Sequence, residues 1–319
     1  MAKLYSYGEP IIFSGRGNRP LAECICREVG QPLAEADIFE FPNENIFVKP
    51  KRSVRGHDVF LIQGLGAPVN RNIMEMLIFI DALKRASAAR ITVVLPFYAY
   101  GQSDKKDQPR VPITARLLAD LLVTAGAERY ITVDLHAGQI QGFFSIPGDE
   151  LTALPILVNY IEDKRIENRV VVSADLGFAK KARNFARRLD APLAFVEKRR
   201  IPNSHAEALT IIGEVAGKNA LLVDELVDTG GTLTSAVDLL IKSGARTVHT
   251  MCTHATLSGN AVEKLARAPI EEFICTDTID IPQSKRLPNF RVLSVAPLLG
   301  EVIRRTNEGR SVGEYIKDT

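Results

Sequence analysis

Short β-branched runs alternate with stretches of helical period along nearly the whole chain, and this alternation constrains the fold more than any other feature. The runs are DVFLIQ at 58, RITVVLP at 90, YITVDLH at 130, RVVVSAD at 169, NALLVDEL at 219, TVHTMCTHA at 247 and EFICTDT at 272. Between them, NIMEMLIFIDALKRAS, ITARLLADLLVTAG, AKKARNFARRL and LTSAVDLLIKSG repeat their apolar residues at helical spacing. Strand, helix, strand, helix predicts an α/β fold of mainly parallel sheets flanked by helices, since an unbroken apolar strand needs cover on both faces. Glycines or short polar turns stop the helices, notably Gly126, Gly217 and Gly244. The run IIFS followed by GRGN predicts one further helix, starting at Arg19 or Pro20.

A length of 319 residues points to two domains, at about 150 residues each. Two segments support a duplication: LLVTAGAERYITVDLHA at 121 aligns with LLIKSGARTVHTMCTHA at 239, matching helix, Gly-Ala, Arg, strand and a terminal His-Ala. The boundary is expected in the turn-rich FFSIPGDELTALP, giving domains 1–150 and 151–304, with a tail 305–319 packing back on the first. In open α/β sheets ligands gather beyond the carboxyl ends of the strands, so residues just past each strand carry the functional information.

Charge excludes some functions. Forty Lys and Arg against thirty-eight Asp and Glu leave a net +2, no footprint for nucleic acid or an acidic membrane. With no Trp and 7% aromatic residues, base-stacking platforms are not the main business of the chain. Cys24, Cys26, Cys252 and Cys275 have neither metal-site nor disulfide-scaffold spacing and suit the interior of a protein in a reducing compartment. No apolar stretch reaches the roughly 18 residues of a membrane span, and MAKLYSYGEP lacks the form of a secretory leader, so a cytoplasmic location is expected.

The strongest motif is NALLVDELVDTGGTLTSAVDLL. An apolar strand runs into Asp224, Glu225 and Asp228, then Thr229, Gly230, Gly231 and Thr232, then a helix. Glycines allow close backbone approach to an anion, and the amides opening the helix, with the Thr hydroxyls, can donate to phosphate oxygens. Carboxylates beside a phosphate need another task, and holding a sugar diol or Mg²⁺ supplies one. The nucleotide P-loop GxxxxGK[ST] is absent, and GRGN at 15 lacks the third glycine of a dinucleotide fingerprint.

The acidic loop is shared by phosphoribosyltransferases and ribose-phosphate pyrophosphokinases, and the rest of the chain resembles the latter. SVRGHDVFLIQ, VDLHAGQIQGFF, VSADLGFAKKAR, EKRRIPN, GEVAGKNALLVDELVDTGGT and APLLGEVIRRTNEGRSV look like that family, in its order and over nearly the whole length. The resemblance implies two phosphoribosyltransferase-like domains and transfer of the pyrophosphoryl group of ATP to the C1 hydroxyl of ribose 5-phosphate, giving phosphoribosyl pyrophosphate and AMP. It implies that Asp224 and Asp228 face the ribose hydroxyls, with Thr229, Gly230, Gly231 and Thr232 around the 5-phosphate. Glu225 stands where the family commonly has Asp. His136 and Asp175 match positions used for Mg²⁺, and Lys198 and Arg200 match a catalytic flexible loop, in a polar stretch with Pro202 that reads as mobile. A homo-oligomer built from dimers, up to a hexamer, is implied as well.

The nucleotide contacts depart from the pattern. The adenine segment reads Phe41, Asn43, Asn45, with Asn45 replacing an acid. Where the family usually has Tyr-Ala-Arg-Gln-Asp this chain has Tyr100, Gly101, Gln102, Ser103, Asp104, so an uncharged amide replaces the Arg expected at the ATP phosphates. Ser53, Arg55, Arg110 and Gln141 resemble a regulatory anion site, but Gly138 and Gly313 replace Ser and Glu150 replaces Asn there. Alternatives are a regulatory, weakly active subunit or, less in keeping with the extent of the match, a phosphoribosyltransferase.

Overall fold

The computed structural model describes residues 8–175, 177–200 and 207–318, apart from the side chains of 198–200, 207–208 and 316–318. In chain order it forms β1 (Ile11–Ser14), α1 (Arg19–Val29), β2 (Ala36–Glu40), β3 (Ile46–Pro50), β4 (Asp58–Ile62), α2 (Val69–Arg85), β5 (Arg90–Leu95), α3 (Thr114–Ala125), β6 (Arg129–Val133) and β7 (Gly148–Leu151). Then come α4 (Leu154–Lys164), β8 (Arg169–Ser173), α5 (Ala179–Arg188), β9 (Leu193–Arg200), β10 (Glu207–Ile212), β11 (Asn219–Val227), α6 (Gly231–Lys242), β12 (Thr247–Ala255), α7 (Ala261–Arg267), β13 (Glu272–Thr276), β14 (Phe290–Leu293), α8 (Ala296–Glu308) and α9 (Val312–Asp318). Among the described residues no helix is long and apolar enough to cross a membrane.

The chain divides into two compact units. One holds the residues up to Thr152 with Thr278–Asp280 and everything from Ser294; the other holds Ala153–Asp277 and Ile281–Leu293. The break thus falls at 152/153, not 150/151, because β7 occupies the expected linker. Residues 294–304 go with the first unit, since helix α8 runs unbroken through position 304 and packs on α1.

In the first unit β1-β4-β5-β6-β7 form a sheet whose neighbours are all parallel. One core lies between this sheet and α2 and α3, where Phe79 meets Phe13 at 5.4 Å between ring centroids. The β2–β3 hairpin forms a separate two-stranded ribbon packed on α2. In the second unit the order is β10-β9-β8-β11-β12-β13-β14, parallel except for β10. Alternate residues of β11 enter opposite cores: Leu222 joins Val172, Val237 and Val248, while Leu221 and Val223 join Ile161, Phe185 and Met251. Burial on both faces explains why these strands read as solid apolar runs.

The duplication has a structural counterpart. β4-α2-β5-α3-β6 in one unit and β8-α5-β11-α6-β12 in the other give the same strand adjacency, and α3 and α6 end alike. Ala127 N–H donates to Leu122 O and Ala245 N–H to Leu240 O, both at 3.0 Å, after glycines with φ +123 and +87. The aligned His-Ala pairs differ, however: His254 is buried inside β12, whereas His136 is exposed beyond the end of β6. Gly217, expected to stop a helix, lies in the turn between β10 and β11, because the β9–β10 hairpin is inserted after α5. That hairpin also corrects the reading of Lys198 and Arg200 as loop residues. The backbone of β9 outruns β8 beyond Phe195 and pairs with β10, Lys198 opposite Leu209 and Arg200 opposite Glu207.

A buried charge ties α8 to the first sheet. Asp58 is fully buried; Arg90 Nε and an Arg90 terminal nitrogen donate to its carboxylate at 2.8 and 2.5 Å, and Asn307 Nδ2 does so at 3.0 Å. Arg90 also donates to Thr306 O at 3.0 Å. Arg90→Met should therefore destabilise the first unit by about 3 kcal/mol, because Asp58 loses its cation in an apolar setting. Urea unfolding measures this; a loss under about 0.5 kcal/mol, the size of an ordinary surface change, would contradict it.

Candidate functional site

The parallel strands of the second unit deliver their following loops to one edge, and the acidic motif lies there. β11 extends through Val227, so Asp224 and Glu225 belong to its last residues rather than to a loop. Asp228 and Thr229 are exposed, and Gly230, at φ +71, caps α6. A Cβ at Gly230 would meet nothing closer than 3.7 Å, so the left-handed backbone, rather than crowding, is what calls for glycine. The first turn of α6 follows at once, and its amides lack intrahelical acceptors by construction. Thr234 Oγ1 fastens that turn from within, donating to Gly230 O at 3.0 Å.

Each carboxylate has a distinct setting. Asp228 Oδ1 accepts from Thr256 Oγ1 at 2.8 Å, which fixes the exposed acid against the residue after β12. Glu225 is buried, and its Oε2 lies 3.0 Å from Lys181 Nζ of α5. Asp224 accepts from the Glu225 amide at 2.7 Å. Burial pushes its carboxyl from 3.8 up to about 7; the charges of Asp175 and Glu225 add to this, while the amides of Glu225 and Leu226 oppose it. Asp175, past the end of β8, is exposed, and its Oδ1 accepts from Phe178 N–H at 2.8 Å as the chain turns into α5. Lys198 and Arg200 belong to β9 by backbone, and their side chains, like Pro202, lie outside the described residues.

In the first unit the loop after β5 lies against the segment after β6. A Cβ on Gly101 would be 3.3 Å from Tyr98 O and 3.5 Å from His136 Cβ, so the loop passes directly over His136. His136 follows β6 by three residues, after Asp134 has turned the chain at φ +43. Asp104 is buried; Gln139 Nε2 reaches its Oδ2 at 3.4 Å, while its Oδ1 has no hydrogen-bond partner among the described atoms. Gln102 is exposed and Ser103 half-buried.

Phe41, Asn43 and Asn45 form the turn of the β2–β3 hairpin. Asn43 Oδ1 accepts from Asn45 N–H at 3.3 Å, and exposed Phe41 meets Phe39 edge to face at 5.1 Å. Glu40, at the base of the turn, binds two arginines: Arg16 at 2.8 Å and Arg71. Arg16 also grips buried Glu75 through its Nε at 2.5 Å and its backbone amide at 2.6 Å. Burial opposes the Arg16 charge, but hydrogen bonds to Glu75 and Glu40 outweigh it and hold its pKa above the usual value. GRGN is thus the start of this anchor: a Cβ on Gly15 or Gly17 would run into Gln63 or Gly64.

Ser53 and Arg55 are exposed in the segment before β4, and Arg110 is exposed after β5. Gln141 donates to Glu150, which also accepts the Leu135 amide at 3.0 Å. The acid that replaces Asn thus occupies Gln141 and works against an anion there. The sequence reading missed Lys181 and the Glu40 anchor. A basic helix directly after Asp175 signals the former; nothing in the sequence pairs Glu40 with Arg16 or Arg71.

Comparison with known proteins follows the same lines. Residues 10–126 match the model of the N-terminal domain of ribose phosphate pyrophosphokinase, and 197–317 that of the phosphoribosyl synthetase-associated domain. The chain is 49% identical over 304 residues to the ribose-phosphate pyrophosphokinase of Caldanaerobacter subterraneus subsp. tengcongensis, covering 95% of this chain and 96% of that one. It is 46% identical over 301 residues to that of Corynebacterium ammoniagenes, at 94% and 95% coverage. The crystal structure of phosphoribosylpyrophosphate synthetase from Mycobacterium smegmatis matches with a TM-score of 0.91 at 44% identity, covering 95% of this chain and 100% of that one.

The setting of Asp224 makes stability depend on pH. Between 3.8 and about 7 the folded chain keeps a proton on Asp224 that the unfolded chain releases, so stability falls as pH rises through that window. Asp224→Asn removes this titration, and its stability relative to the parent should climb from 3.8 to about 7 and then level off. Urea unfolding in EDTA across the range measures the difference, and a gap independent of pH would contradict the buried setting.

Proposed function

The chain belongs to the ribose-phosphate pyrophosphokinase family, and from that premise we propose how its residues carry the pyrophosphoryl group of ATP to the C1 hydroxyl of ribose 5-phosphate. The products are phosphoribosyl pyrophosphate and AMP. The single observation that carries the sugar assignment is the edge after β11, where a left-handed Gly230 opens α6 beside Asp224 and Asp228. The amides and hydroxyls of Thr229, Gly230, Gly231 and Thr232 take the 5-phosphate, and Asp224 and Asp228 take the ribose hydroxyls.

The C1 hydroxyl oxygen attacks the β-phosphorus, the bond to the oxygen bridging the α- and β-phosphorus breaks, AMP leaves, and the hydroxyl proton passes to water. Such a step requires alignment and neutralised charge more than covalent help from the protein. Lys198 and Arg200 supply cations to the transferring group. Phe41, Asn43 and Asn45 take the adenine, and Gln102, Ser103 and Asp104 the phosphate chain, where Gln102 gives a neutral hydrogen bond in place of a salt link.

His136 and Asp175 are assigned to Mg²⁺. The donors suit that ion: among the described residues no group of three or more His, Cys, Asp or Glu is arranged as a metal cage, and Mg²⁺ typically takes one or two protein ligands and completes its shell with water and phosphates. When bound, Mg²⁺ supplies positive charge to the triphosphate. Assembly as a dimer-based homo-oligomer belongs to the same reading.

Incubation with ribose 5-phosphate, ATP and Mg²⁺ should release AMP only when the sugar is present, and EDTA should stop it; absence of sugar-dependent AMP would overturn the reading. Lys198→Ala or Arg200→Ala should lower kcat by about 10²–10³-fold. Calorimetric affinity for ribose 5-phosphate should change by less than about threefold, since these cations act on the transferring group. Equal losses in turnover and sugar affinity would refute their assigned role.

A further inference from the structure

Lys264 is a cation beside the loop from Thr229 to Gly231 that meets no acid within ion-pair distance among the described residues. It projects from α7, and its Nζ donates to Thr229 O at 3.1 Å. A Cβ on Gly231 would lie 3.8 Å from the same nitrogen. The ammonium therefore stands over the stretch where the loop becomes helix α6. Three lysines of the second unit pair with carboxylates, Lys181 with Glu225, Lys164 with Glu272 and Lys218 with Glu214, while Lys285, like Lys264, donates to a backbone carbonyl, that of Leu257. For Lys264 no carboxylate lies within ion-pair distance among the described residues, and its one hydrogen-bond partner is a neutral carbonyl.

An ammonium has three donors, and the Thr229 carbonyl uses one. Half-buried beside the N-terminus of α6, the cation adds to the positive end of the helix dipole instead of offsetting it. Two positive elements side by side repel each other unless an anion joins them. Resting on the assignment of the sugar's phosphate to this loop, we propose that Lys264 is a further binding residue for the 5-phosphate of ribose 5-phosphate. It braces Thr229 and donates its remaining protons to phosphate oxygens. Loop amides alone recognise the phosphate by shape; Lys264 adds a full charge and with it a dependence on ionic strength.

Calorimetry with ribose 5-phosphate on the full chain, together with steady-state AMP formation, separates the possibilities. Lys264→Met should weaken the sugar phosphate about tenfold, while KM for ATP stays within about twofold. Lys264→Gln keeps a donor for Thr229 O without the charge and should fail nearly as badly, whereas Lys264→Arg should recover most of the affinity. Parent affinity should fall with added salt more steeply than that of Lys264→Met. If Gln restores parent affinity and salt dependence, the residue is only a brace and the proposal is overturned. Unchanged affinity in Lys264→Met overturns it too, with the reading of the loop left intact. Failure of the parent to bind ribose 5-phosphate at all would instead remove the loop assignment on which the proposal stands.

Discussion

A parallel sheet sends every strand-to-helix loop to the same edge, and like charges gathered there must be balanced. The second unit meets that constraint with Asp175, Asp224, Glu225 and Asp228 at one rim. Glu225 is met by Lys181, Asp228 by the Thr256 hydroxyl and Asp175 by the Phe178 amide. Asp224 is held by two backbone amides, but burial first and then the repulsion of its neighbours outweigh them, so it holds its proton toward neutrality. The same rim carries the positive end of α6. The acids proposed for the sugar and the positive charge proposed for its phosphate are thus separated by only the few residues between Asp224 and Gly231.

The parts of the fold that repeat were legible because burial on both faces leaves an unambiguous apolar run. β4, β5, β8, β11, β12 and β13 all start where their runs start. Pieces that break the alternation were not. The β2–β3 hairpin is half exposed, so its pattern is weak, and β9 carries the charged EKRR, which reads as loop because only an edge ribbon such as β9–β10 tolerates such a strand. Gly217 was misread for the same reason, as the ribbon displaces the helix whose end it would have marked.

Within the candidate sites, the residues to which sequence reasoning points most strongly stand next to one another in the chain, such as Asp224 to Thr232. Those it missed act across the fold. Lys181 joins α5 to β11, Lys264 joins α7 to the loop before α6, and Glu40 of β2 is held by Arg16 and Arg71 from two other segments. No local pattern records such pairings. The first unit's departures fit this division: Gln102 and Asn45 are plain in the sequence, but the open oxygen of buried Asp104 is visible only once the loop has folded over His136.

The central claim is that the edge after β11 grips a phosphorylated pentose by backbone amides at one end and carboxylates at the other. Diffraction from crystals soaked with ribose 5-phosphate tests it most directly. The account requires the phosphate within hydrogen-bond distance of the amides from Thr229 to Thr232, with the sugar hydroxyls turned to Asp224 and Asp228. A sugar phosphate held elsewhere on the chain, with that loop vacant, would contradict it.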